Sequence, residues 1–162
     1  MPESAGLVIR SPHLQPLELF PVRFTGDGAN AAPSLVVSGV PAGATELAIV
    51  MDDPDAPLPH GFTHWLLYGV PALDRAVDLD DPSVRVGPNT MGERAYIGPM
   101  PPRGHGRHHY FFQVYALSET VDGEPSREEF LARYAASVIE QSRFVAYYER
   151  FRHEDPAMTT DA

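Results

Sequence analysis

Asp53, His64, His108 and Tyr110 are the side chains whose chemistry stands out, because a carboxylate, two imidazoles and a phenol, where a fold brings them together, can hold an anion or move a proton. Asp53 belongs to Asp52-Asp53-Pro54-Asp55-Ala56-Pro57, directly after the apolar run Leu47–Met51. The two prolines stop a strand ladder and fix the backbone, which predicts carboxylates held in a stiff loop at a strand end. Taken alone, the same six residues also read as a solvated acidic turn. His64 opens a second apolar run beside Trp65, the single tryptophan, and alone it reads as a structural histidine. His108 and Tyr110 follow a segment rich in Gly and Pro, and the period of two along a strand puts them on one face with Phe112 and Val114. His109, Phe111, Gln113 and Tyr115 take the other face.

The elements that must carry these residues are mostly strands. Seventeen prolines and thirteen glycines punctuate short apolar runs, a pattern of strands joined by turns. The spacing predicts strands at Leu7–Ile9, Ser34–Ser38, Glu46–Met51, Thr63–Val70 and Tyr110–Leu117, and a further one over Phe144–Phe151. Leu47–Met51 and Tyr110–Leu117 are apolar on both faces and are expected at the centre of a sheet covered on both sides. Ser126-Arg127-Glu128-Glu129 has capping-box spacing, and Phe130, Leu131, Tyr134, Ala135, Val138 and Ile139 behind it form one helical stripe. The fold class is therefore mainly β, in one domain over residues 1–152, with a polar tail at 153–162 that frays.

Composition narrows the function classes. A formal charge of −10, from 12 basic and 22 acidic residues, argues against nucleic-acid partners and against attachment to anionic membranes. No apolar run reaches the roughly 18 residues of a membrane span, and Met1–Arg10 does not read as a signal peptide, so the expected location is cytoplasmic. The absence of cysteine removes disulfides, zinc thiolates and a cysteine nucleophile. His105, His108 and His109 lie close in sequence, but His108 and His109 alternate across a strand, so no metal site is expected. No P-loop, dinucleotide fingerprint or activated serine appears, and no cofactor is expected.

Asp-Pro-Asp-Ala-Pro, then His64-Trp65, then Tyr96-x-Gly98-Pro99-x-Pro101-Pro102, then His108-x-Tyr110, in this order, resembles the phosphatidylethanolamine-binding protein family and especially its bacterial Raf-kinase-inhibitor-like branch. The resemblance runs from about Ser34 through Tyr147-Tyr148-Glu149-Arg150. It implies a central antiparallel sheet packed on a smaller sheet, short C-terminal helices, and a shallow anion pocket. On the matching positions that pocket would be formed or bordered by Asp53, Asp55, Pro57, His64, Tyr96, Gly98, Pro101, Pro102, His108 and Tyr110, with backbone amides of the Gly98–Pro102 turn as uncharged donors. Ala95, Ile97 and Met100 depart from the pattern Gly-Tyr-Gly-Gly-Pro-Cys-Pro-Pro of many relatives. Val36-Val37 stands where the family commonly has Trp, and Ser137 where it has a helical His.

The expected function is binding of a small phosphate- or carboxylate-bearing ligand, with His64 and His108 donating to anionic oxygens, Tyr110 adding a donor, and Asp53 orienting an imidazole or receiving a ligand ammonium group. The alternative is a biosynthetic enzyme in which His64, His108 and Asp53 perform general acid–base chemistry in an isomerisation, cyclisation or elimination. A third reading, implied by the resemblance, is a regulator that inhibits a kinase or protease, and the branch also implies a homodimer.

Overall fold

The computed structural model describes residues 6–151, so the expected tail lies outside the described residues. Among the described residues the fold has eight strands and one α-helix: β1 Val8–Arg10, β2 Val36–Ser38, β3 Glu46–Asp53, β4 Phe62–Val70, β5 Arg75–Ala76, β6 Arg85–Val86, β7 His108–Leu117, α1 Arg127–Tyr134 and β8 Val138–Tyr148. The larger sheet is antiparallel in the order β6-β4-β3-β7-β8, and the smaller is β1-β2-β5. The two apolar runs without alternation, β3 and the body of β7, sit centrally, with β3 buried along its whole length.

That burial has two sources, one on each face. On one face Leu47, Ile49, Met51, Trp65, Leu67, Tyr110, Phe112 and Val114 pack against Ile9 and Val37 of the smaller sheet. On the other, Ala48, Val50, Leu66, Tyr68, Tyr115 and Leu117 pack against Phe130 and Tyr134 of α1. Ser126 caps the helix by accepting the Glu129 N–H at 3.2 Å, as the capping-box spacing predicts.

Two boundaries differ from the sequence expectation. The stripe Phe130 to Ile139 predicts a longer helix, but α1 stops at Tyr134, one 3-10 turn covers Ala135–Ser137, and Val138 and Ile139 begin β8. Val138 pairs with Leu117 and Glu140 with Ala116 of β7, with Ile139 at the register shift between them, and ladder hydrogen bonds beside an apolar strand outweigh a weak helical stripe. Of the predicted strand over Phe144–Phe151, the part up to Tyr148 is the second half of this longer β8, and residues 149–151 lie beyond the strand. At the other boundary, β3 runs on through Asp52 and Asp53, so these carboxylates belong to a strand and only Asp55 lies in the turn.

Candidate functional site

The period of two along β3 puts Leu47, Ile49, Met51 and then Asp53 on the face covered by the smaller sheet. Along β7 the same period puts His108 and Tyr110 there too. His64 needs a different explanation. Trp65 and Leu67 face this layer and Leu66 and Tyr68 face α1, so strict alternation would send His64 to the α1 side. The register slips there: Met51 pairs with Trp65 but Asp52 pairs with Thr63, leaving His64 as the extra residue of a β-bulge. The bulge turns the imidazole back, edge-on to the Tyr110 ring with centroids 5.2 Å apart.

Hydrogen bonds fix what each group can do. His64 Nδ1 lies 2.6 Å from the Ile97 carbonyl oxygen, which can only accept, so Nδ1 carries the proton. Burial pushes this imidazole down to about 4; the Ile97 contact opposes that shift and nearby His108 adds to it. At neutral pH His64 is therefore uncharged, and its Nε2, without a partner among the described residues, is an acceptor. His108 is held at both ends: Nδ1 lies 2.6 Å from Asp53 Oδ2, and Nε2 lies 2.6 Å from His105 Nδ1. Desolvation raises the Asp53 carboxyl above its ordinary range, and the His108 contact works the other way. A neutral His108 that donates from Nδ1 accepts from His105 at Nε2, whereas an imidazolium donates from both nitrogens. The Tyr110 hydroxyl, pushed upward by burial and then by Asp53, stays neutral, and it has no hydrogen-bond partner among the described residues.

These groups line a cavity of about 460 Å³. Asp53, Pro57, His64, Gly98, Pro101, Pro102, His108 and Tyr110, all expected from the sequence, are on its wall. Asp55 and Tyr96 are not. Asp55 Oδ2 accepts from the N–H of His109 and contacts His109 Nδ1 at 2.7 Å, on the outer side of β7. Tyr96 donates its hydroxyl to the Phe24 carbonyl at 2.6 Å and stands edge-on to Trp65, behind the wall. The Gly98–Pro102 turn offers fewer amides than expected: residues 99, 101 and 102 are prolines without an N–H, and the Gly98 N–H already donates to Asn30 Oδ1 at 2.6 Å. Met100 alone in that turn keeps an N–H with no partner among the described residues.

The wall also includes Phe62, Leu58, Met91, Ile97, Met100 and Arg150. Leu58, Met91 and Met100 are exposed and form an apolar surface beside the polar groups. A signal for Arg150 was present in the chain, since Phe144, Ala146 and Tyr148 point inward at alternate positions and residue 150 continues that period.

Residues 10–149 match the family model for phosphatidylethanolamine-binding protein. A UPF0098 protein of Pyrococcus horikoshii is 37% identical over 143 residues, covering 82% of this chain and 72% of that protein. LppC of Mycobacterium tuberculosis, whose name provisionally calls it a lipoprotein, is 38% identical over 152 residues, covering 91% of this chain and 75% of its own length. The crystal structure of YbcL from E. coli, described as a new member of the mammalian PEBP family, superimposes with a TM-score of 0.80 at 30% identity, covering 90% of this chain and 99% of that one. The chain belongs to the phosphatidylethanolamine-binding protein family.

Proposed function

We propose that this chain binds, in the cavity between Asp53, His64, His108 and Tyr110, a small organic molecule that carries a phosphate or carboxylate group and an apolar body. The observation that carries the reading is the Tyr110 hydroxyl: a donor on a side chain only 1% exposed, unpartnered among the described residues, on the wall of a cavity of ligand size. The hydroxyl opens onto the cavity, so a ligand acceptor can replace water on it. Leu58, Phe62, Met91, Ile97 and Met100 supply an apolar surface for the rest of the molecule. His64 does not take the role of anion donor expected from the sequence, because its neutral ring offers Nε2 as an acceptor. It suits an O–H or N–H on the ligand.

Calorimetric titration with phosphoethanolamine, inorganic phosphate and small carboxylates tests this. One-to-one binding that weakens about tenfold, or ~1.4 kcal/mol, in Tyr110→Phe is expected; heat changes that are identical in the variant contradict it. One observation favours a second reading as an acid–base enzyme. His108 between Asp53 and His105 is an oriented base with a proton path through His105. Turnover of a metabolite that survives Asp53→Asn and His108→Ala would remove that reading. Among the described residues no helix is long and apolar enough to cross a membrane. A cytoplasmic location stays part of the proposal, and recovery of the native protein in an envelope fraction would end it.

A further inference from the structure

Among the described residues that line the cavity, Asp53, His64, His108 and Arg150 are the titratable or charged ones besides the neutral Tyr110, and Arg150 alone among them carries a permanent positive charge. It is largely buried, with 15% of its side chain exposed. Two contacts hold it in place. Its Nε lies 3.1 Å from Asp27 Oδ2, an oxygen that also accepts the Tyr148 hydroxyl at 2.8 Å. Its carbonyl oxygen accepts the Gly104 N–H at 2.7 Å, tying the main chain to the loop that carries His105. A guanidinium has five N–H donors and Asp27 engages the one on Nε, so the planar fork at the terminal nitrogens has no partner among the described residues. Because the side chain is already positioned, less rotamer freedom is lost when a ligand meets it.

The other polar groups of the lining sort the ligand's groups. His64 Nε2 is a lone-pair acceptor and repels a bare oxyanion, and Asp53 is already engaged by His108 and by the Asp55 N–H. An oxyanion is therefore best placed on the guanidinium fork, and a proton-bearing group best placed on His64. We propose that Arg150 is the specificity-determining residue of this cavity: its terminal N–H groups select a carboxylate or phosphate, while His64 Nε2 accepts from an O–H or N–H on the same molecule. This rests on the ligand-binding reading above and narrows it to oxyanions that also carry a donor, of which a hydroxy acid and a phosphorylated amine are the simplest forms.

The test titrates the full chain with inorganic phosphate, phosphoethanolamine, lactate and propionate, the last differing from lactate by the missing hydroxyl. Arg150→Gln is expected to weaken the anions about tenfold or more, and Arg150→Lys to recover part of the loss because it keeps the charge without the fork. Asp27→Asn removes the carboxylate charge but keeps a side-chain oxygen that can accept from Nε and hold the arginine in place, so affinity there should hold or rise, since a competing negative charge is gone. Lactate should bind more tightly than propionate. Affinity that ignores Arg150→Gln, or an Asp27→Asn loss as large as the Arg150→Gln loss, overturns the assignment while leaving the cavity a binding site. Wild-type protein that binds none of the four probes overturns the ligand-binding reading and this one together.

Discussion

At the scale of the residue, His64 makes the sharpest prediction. Its folded value of about 4 lies below the ordinary 6.5, so between those limits the unfolded chain binds more protons than the folded one. Stability contributed by neutral His64 is complete above the unfolded value and is lost as pH falls from 6.5 towards 4. Between pH 7 and pH 5 that loss amounts to about 2 kcal/mol, or 1.5 pH units at ~1.4 kcal/mol each. The buried carboxyls of Glu46, Asp52 and Asp53 are raised by desolvation and shift stability in the opposite sense, so the comparison needs a variant. Urea unfolding of His64→Gln should show a smaller drop from pH 7 to pH 5 than the wild type; equal drops would mean that His64 is charged in the folded state. The type of this residue was legible in the chain, but its face was not. Alternation sends it to the α1 side, and only the cross-strand register, which no local pattern encodes, reveals the bulge that returns it to Tyr110.

At the scale of the element, the segment before β7 makes the wall of the cavity by lying close on the loop that follows Val22–Phe24. A Cβ at residue 98 would stand 2.2 Å from the Phe24 carbonyl oxygen and 2.8 Å from Asn30 Oδ1, so glycine is required there by space. Gly98→Ala should cost roughly 1–3 kcal/mol and displace Ile97 from His64, visible as a lower Tm together with a changed His64 ring signal. An unchanged Tm would show that the segment moves freely. At α1, Ser126→Ala removes the acceptor of the Glu129 N–H and should cost about 1 kcal/mol by chemical denaturation. The start of that helix was readable because a cap is a local device. Its end was not, because Val138 and Ile139 fit a helical stripe and a strand alike, and the pairing partner Leu117 lies far back in the chain. The same holds for Asp52 and Asp53: the prolines behind them mark a stop, but β7 pairing carries the strand through Asp52, opposite Phe111, and β4 pairs with Asp53 through Phe62.

At the scale of the whole molecule, both apolar layers are built on opposite faces of one five-stranded sheet, so neither survives loss of the other. Trp65 fluorescence, which reports one layer, and far-ultraviolet dichroism, which reports the backbone, should give coincident unfolding curves; separated midpoints would show the layers melting apart. The charge of −10 predicts that vesicles containing anionic lipid leave the protein unbound in a flotation assay at physiological salt, whatever the cavity accepts as a free molecule. Whether Asp53, His64, His108 and Tyr110 surround a working ligand site is read from the histidine ring signals by NMR while phosphoethanolamine and small hydroxy acids are added. Saturable shifts are expected at His64, His105 and His108 with His13 unmoved, and in Tyr110→Phe the same shifts should need about tenfold more ligand. Rings that stay fixed, or shift together with His13 in proportion to added salt, would contradict the ligand-binding reading.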